Sequence, residues 1–271
     1  MSIFLYVTVL VLYVAATLLY LMYLIRPRDF VGRISRWLLA AGFICHGAFT
    51  FSRYLEAGHT PITNLHESLS FFSLMIVGVF LGFQHRYRAA ILGSFVTPLA
   101  LLVMLASAMF PSAIVPLNPA LKSGWLGFHT IAAFAGYAAF AIAFCAGIMY
   151  LLQEHFLKKK KLGALYQRLP SLEVLDDINY RCLTIGFPLL TLAIISGAIW
   201  ADSAWGSYWS WDPKETWSLI TWFVYAALLH GRLTAGWRGS RAAILAIIGF
   251  CALLFTFLGV NLLLPGLHSY R

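Results

Sequence analysis

Charge is what this sequence has least of. Only 11% of its 271 residues are charged and mean hydropathy is +0.81, whereas a soluble domain is roughly one quarter charged. A water-soluble enzyme is excluded. Eight apolar spans of about 20 residues would take roughly 160 positions and leave about 110 for connections. No soluble domain of ordinary size fits in that remainder. The net charge of +9 would suggest nucleic acid in a soluble protein. In a membrane protein it is read first as topological sorting, and no nucleic-acid partner is expected.

Cysteine is scarce as well. Cys45, Cys145, Cys182 and Cys251 form no C-x-x-C pair and all fall inside apolar runs, which suits small packing residues rather than a thiol relay. The first apolar run lacks a basic leader and an A-x-A-type cleavage site, and its positive charges, Arg26 and Arg28, follow it. It reads as a retained anchor. There is no repeat period and no low-complexity segment, so residues 1–271 are expected to form a single membrane domain.

What is present is a set of apolar runs, at 3–25, 36–52, 67–84, 89–110, 129–153, 182–201, 215–230 and 242–264. They predict an all-α integral membrane protein, a bundle of about eight transmembrane helices. Placing the N-terminus outside puts 15 of the 19 Lys and Arg on the cytoplasmic side, leaving Arg53, Lys122, Lys214 and Arg271 outside. The positive-inside rule therefore predicts both termini on the outer, periplasmic or lumenal, face. The longest inner loop, 154–181, carries Lys158 to Lys161 and then Glu173, Asp176 and Asp177, and is read as a solvated face or topology anchor.

Five of the nine tryptophans, Trp200, Trp205, Trp209, Trp211 and Trp217, fall within 18 residues between the sixth and seventh runs. An interfacial aromatic belt accounts for two or three of them. Their density, together with the helix start that follows, points further. Asp212 suits an N-cap, Pro213 the first helical position and Glu215 the third, so D-P-K-E is a capping box. An aromatic shelf set against a fixed helix start at a polar interface suits a large flat apolar ligand, and haem fits that description.

The eight histidines sort by depth. His59, His66, His129 and His268 lie outside, His85, His155 and His230 near the inner surface, and His46 within a span. His129 opens the fifth run and His268 follows the eighth, both level with the shelf. Two neutral imidazoles beside a planar apolar cradle would make a bis-His axial haem site. From Pro213 a helix reaches His230 after 17 residues, about 25 Å, so His230 cannot serve an iron at the shelf. If it binds haem, a second, inner site is required. Its partner would be His46 or an imidazole of another subunit.

The segment W-G-S-Y-W-S-W-D-P-K-E-T-W at 205–217 resembles the Trp-rich "WWD" signature of haem-handling cytochrome c biogenesis proteins. T-P-I-T-N-L-H-E-S-L at 60–69, W-L-G-F-H-T at 125–130, L-L-H-G-R at 228–232 and G-V-N-L-L-L-P-G-L-H-S-Y at 259–270 narrow the likeness to the CcsA/ResC, or system II, branch. The resemblance spans about residues 36 to 271. A CcmC-type relative would have about six spans without the 60–69 element, and a CcmF-type chain would be much longer. In the N-L-x-E-S element the family commonly has Tyr where His66 stands here.

The resemblance implies that His129 and His268 are external axial ligands of haem iron and that His230 is a membrane-embedded ligand whose partner histidine belongs to a CcsB/ResB-type subunit. It implies that Trp205, Trp209, Trp211, Asp212 and Trp217 lie in a haem-presenting segment, 202–217. It further implies a role in a cytochrome c haem lyase of the bacterial inner or thylakoid membrane, presenting reduced haem b as transported substrate for thioether attachment to C-x-x-C-H apocytochromes. Apocytochrome c and a thioredoxin-like thiol reductant are the other implied partners. No nucleophile from this chain is required, because the attacking thiols belong to the substrate. Alternatives are a haem-binding regulator or chaperone of HemX type, a system I relative, or a secondary transporter. The last usually shows internal repeats and mid-membrane charge, which this sequence lacks apart from His46.

Overall fold

The structure, a computed structural model, describes residues 2–87, 90–114 and 123–264. Among them there is no strand. The helices in chain order are α1 (Ser2–Ile25), α2 (Asp29–Ala57), α3 (Leu65–Tyr87), α4 (Gly93–Ser107), α5 (Gly124–Lys158), the short α6 (Ala164–Arg168), α7 (Leu172–Trp205), α8 (Pro213–Thr234), α9 (Ser240–Leu254) and α10 (Val260–Leu263). A 3-10 turn, Ala90–Leu92, leads into α4, and a π-helical turn, Phe255–Gly259, joins α9 to α10.

Seven of the eight expected spans become helices long and apolar enough to cross a membrane. The remaining expected run, 215–230, becomes α8, which at 22 residues has the length but is not among the seven. Thr216, Ser218, Thr221, His230 and Arg232 dilute its apolar character. Several helices also overrun their apolar cores. The fifth, predicted over 129–153, extends through 35 residues as α5, about 52 Å at 1.5 Å per residue against a hydrocarbon layer of about 30 Å. Hydropathy ends where the hydrocarbon would end, whereas main-chain hydrogen bonding continues past it.

The chain resolves into two compact units, one of residues 1–116 with 155–170 and the other of 117–154 with 171–271. The first is held by hydroxyl and amide groups that bridge helices inside an apolar bundle. Tyr13 Oη lies 3.1 Å from His46 Nδ1, and His46 Nε2 lies 2.9 Å from Ser70 Oγ. Tyr20 donates to Gln84 Oε1 at 2.7 Å, and Ser94 donates to the Tyr20 carbonyl at 2.7 Å. Such bonds join helices where lipid-like surroundings provide little hydrophobic drive. Arg53 and Glu67 form a buried ion pair of 2.6 Å. Glu67 also accepts from the Thr63 amide and hydroxyl, each at 3.0 Å. The 60–69 element is thereby tied to the end of α2.

In the second unit, small residues let α5 pack closely. Of its 35 residues, Ala132, Ala133, Gly136, Ala138, Ala139, Ala141, Ala143, Ala146 and Gly147 are all buried. Phe140 stacks on Tyr225 of α8 with centroids 3.6 Å apart and planes within 6°. Asn179 of α7 donates to the Ala143 carbonyl at 3.2 Å. This unit contains every described residue of the Trp-rich segment, together with His129 and His230.

Candidate functional site

The site begins where α7 stops. Trp205 is the last helical residue, and Gly206, at φ +74°, turns the chain while its N–H bonds the Asp202 carbonyl at 2.9 Å. A positive φ of this kind costs glycine nothing. Trp200, one turn back, meets Trp205 edge-on at 4.9 Å. Beyond the turn, Trp209 and Trp211 meet edge-on at 5.7 Å and 90°.

Trp211 is the strained residue of the segment. It has φ +57°, a region that bulky side chains rarely adopt, and its side chain is 68% exposed. Glu215 holds it there. Its Oε2 accepts from the Ser210 amide at 2.8 Å and from the Asp212 amide at 3.2 Å, the N–H groups of the residues on either side of Trp211. Asp212 in turn accepts from the Lys214 amide at 2.9 Å, completing the expected capping box. The cap therefore does more than start α8: it fixes an exposed indole in an unfavourable backbone conformation. Glu215 belongs to the site, a role its position in D-P-K-E only partly disclosed.

Trp217 lies one turn into α8, its ring 4.4 Å from Phe255. Its carbonyl is 3.1 Å from Thr256 Oγ1, which is also 2.9 Å from Thr221 Oγ1. Lys214, ahead of the apolar stretch, reaches Asn261 Oδ1 at 3.3 Å. Burial lowers its pKa to about 8, against the opposing effect of the Asp212 carboxylate.

His129 is in the second turn of α5, half-buried, with Nδ1 2.7 Å from the carbonyl oxygen of Ala193 in α7. A carbonyl can only accept, so Nδ1 carries the proton and Nε2 has the lone pair. That is the tautomer a metal-ligating imidazole needs, with its other nitrogen anchored to the main chain. The ring sits against Gly197, where an added Cβ would fall 2.7 Å from Nδ1. Gly197 lies one turn before Trp200, so the helix that positions the imidazole also leads into the Trp segment.

His230 is exposed on α8, in line with Ile220, Phe223 and Ala227, which are also exposed. The helix runs unbroken from Pro213 to His230, so the separation of about 25 Å holds. Directly after it, Gly231 accommodates the Trp237 ring, and Arg232 grips Asp176 of α7 through two bonds of 2.9 and 2.7 Å. Asp176 also accepts from the Gly239 amide at 3.0 Å. The 154–181 stretch, read from sequence as a solvated face or topology anchor, thus supplies in Asp176 a carboxylate that latches the last turn of α8.

Two other histidines, His46 and His66, are engaged elsewhere. Both ring nitrogens of His46 are within hydrogen-bond distance of Tyr13 and Ser70, a structural role that weakens it as a partner for His230. His66 is buried, donates Nδ1–H to the Ser107 carbonyl at 2.9 Å and packs on Tyr6. His268 lies outside the described residues.

Comparison with known proteins adds the following. Residues 40–268 match the family described as Cytochrome C assembly protein. The cytochrome c biogenesis protein CcsA of Microcystis aeruginosa is 40% identical over 280 residues, covering 86% of this chain and 85% of that protein. The CcsA of Guillardia theta is 40% identical over 238 residues, covering 81% and 79%. That of Chlamydomonas reinhardtii is 42% identical over 225 residues, covering 80% and 63%. Among solved structures, cytochrome c heme lyase CcmF is similar with a TM-score of 0.69 at 17% identity, over 95% of this chain and 46% of that one. The chain spans about half the length of that structure, and the likeness is one of fold.

Proposed function

We propose that this chain, which belongs to the CcsA branch of the cytochrome c assembly protein family, is the haem-delivery and ligation subunit of a system II cytochrome c synthase. The observation that supports the reading is the anchored imidazole of His129, held to α7 through the Ala193 carbonyl in the tautomer that puts the lone pair on Nε2. The Trp segment continues from the same helix, and its exposed, stapled Trp211 suits a flat aromatic substrate.

In this reading the Trp segment and the termini face outward, and the membrane is the bacterial cytoplasmic membrane or, in a plastid, the thylakoid. Haem b is the cargo. His129 and His268 hold it axially over the shelf and keep it in a defined redox state. A thiol of the apocytochrome C-x-x-C-H motif adds across each vinyl group, forming a C–S bond at one vinyl carbon while the proton ends on the other. The addition is redox-neutral and needs reduced thiols, hence a thioredoxin-like reductant. The chain supplies proximity and orientation, and one axial histidine gives way to the substrate histidine.

His230 supports a second, inner ligand position. An imidazole on an otherwise apolar exposed helix face is costly in a membrane unless something covers it, and a histidine of a CcsB/ResB-type subunit would do so. The test is to purify the chain with that subunit and record reduced spectra of wild type, His129→Gly and His268→Gly, with and without imidazole. Coordination is expected to be lost in both variants and restored by imidazole, with cytochrome maturation falling in step. Wild-type haem content and maturation in both would refute the ligand assignment. Normal c-type cytochromes after deletion of the gene would favour a haem-binding regulator instead.

A further inference from the structure

One stripe of α2 is apolar and exposed along most of the helix. Phe30, Ile34, Trp37, Ile44, Phe51 and Leu55 lie on it, at spacings that keep side chains on one helical face, and Trp37 is 74% exposed. Arg33, also exposed, stands on the same face one turn before Trp37. Arg36 is at the edge of the stripe, and its guanidinium donates to Nδ1 of His85 in α3 at 3.0 Å. An arginine can only donate, so Nδ1 is the acceptor and the His85 proton is on Nε2. Guanidinium and imidazole N–H donors thus stand side by side where the stripe begins. Their charge is not neutralised as it is elsewhere. Arg53, Arg181 and Arg232 each grip a carboxylate, whereas Arg36 meets an imidazole and Arg168 of α6 donates to the Leu24 carbonyl at the end of α1. Residues 24–36 carry Arg26, Arg28, Arg33 and Arg36 against the single carboxylate of Asp29, which lies in the first turn of α2, where the helix dipole favours it.

We propose that this end of α2, together with His85, is a binding site for one anionic phospholipid, with the phosphate on Arg33, Arg36 and the His85 Nε2–H and an acyl chain along Trp37 and Ile44. Guanidinium groups match a phosphate bidentately, and an indole one turn further on suits the boundary between headgroup and chain. Sorting by charge during insertion accounts for arginines gathering at this end. It does not account for their lying beside an apolar stripe with neutral partners. An anionic lipid meets both features in one molecule, a negative head at the charged end and a chain along the apolar length. A zwitterionic lipid carries its own cation to the same place and gains less from the arginines.

The experiment uses the full chain in neutral detergent, alone and with its partner subunit, titrated with phosphatidylglycerol or phosphatidylcholine while native mass spectrometry counts the lipid bound. One phosphatidylglycerol is expected to bind roughly ten-fold more tightly than phosphatidylcholine. Arg33→Gln and Arg36→Gln should each weaken it roughly five-fold. Lys159→Gln with Lys161→Gln, which removes two charges from the exposed basic run after α5, should leave it unchanged. Arg33→Lys with Arg36→Lys keeps the charge that orients the helix but loses bidentate pairing, so it should bind roughly three-fold more weakly than wild type. That variant decides the matter if the glutamine variants insert wrongly. Phosphatidylglycerol with brominated acyl chains should quench Trp37, read as the difference between wild type and Trp37→Phe. Equal affinity for the two lipids, unchanged affinity in the arginine variants, an equal loss in the lysine control, or quenching that persists in full in Trp37→Phe would each overturn the proposal. Displacement of the lipid by equimolar glycerol phosphate would assign the donors to a free phosphate instead. Binding to the chain alone that vanishes in the complex would assign the face to the partner subunit, and the proposal would fall.

Discussion

His129 donates its Nδ1–H to the main-chain oxygen of Ala193 across 2.7 Å, joining two residues 64 positions apart and leaving the opposite ring nitrogen as the one with a lone pair. Gly197 makes the approach possible, because any side chain there would meet the ring. The expected outcome for Gly197→Ala is therefore specific. The imidazole is pushed off its anchor, haem coordination falls roughly ten-fold, and imidazole in the buffer restores it. Reduced absorption spectra with and without imidazole are the check. A Gly197→Ala protein with unaltered coordination would mean that the ring has room to tilt without leaving the iron.

That contact marks the boundary of what could be read beforehand. The capping box at Asp212 to Glu215 was legible because caps are local: donor and acceptor lie within five residues, and their types announce them. So were the positions of the long helices, since hydropathy runs are one-dimensional signals. The Ala193 carbonyl carries no sequence signal at all, because every residue has one, and only the packing of α5 on α7 selects it. Asp176 was misleading for the opposite reason. It stands among charges that suggest solvent, yet Arg232, 56 residues away, draws it into a bidentate pair whose arginine is only 5% exposed. The strain at Trp211 is a backbone property that composition does not encode.

Glu215→Ala removes the acceptor shared by the Ser210 and Asp212 amides. Two charge-assisted bonds are lost and Trp211 is free to relax from its left-handed conformation. Because the relief of strain offsets part of the loss, the net destabilisation is expected to be about 2 kcal/mol rather than the full cost of both bonds. Function should suffer more than stability, since the exposed indole loses its fixed orientation. Thermal unfolding in detergent gives the first quantity and cytochrome maturation the second. A fall in melting temperature with full maturation would show that Trp211 orientation is unimportant.

The latch at the end of α8 calls for a paired comparison. Asp176→Asn leaves the Arg232 guanidinium buried with a neutral partner, and breaking such a pair on one side costs about 3–5 kcal/mol. The double variant Asp176→Leu with Arg232→Met removes both charges and fills similar volume, so it is expected to be closer to wild type than either single change. Thermal unfolding of wild type, Asp176→Asn, Asp176→Leu, Arg232→Met and the double variant in the same detergent is the measurement. If the double variant is the least stable, the contribution comes from the Gly239 amide that Asp176 also binds, rather than from the ion pair.

His46 separates a structural imidazole from a ligating one. Tyr13 and Ser70 occupy the surroundings of both its nitrogens, so His46→Ala strands two buried hydroxyls and opens a cavity. The expected cost is about 2–4 kcal/mol in the first compact unit. His46→Gln keeps a donor and an acceptor in nearly the same place and should recover about half of that. Neither variant should alter the spectrum of haem bound to the folded protein, because no nitrogen of His46 is given to iron. A changed axial-ligand spectrum in His46→Gln, at a stability near wild type, would instead assign His46 to the inner haem position opposite His230.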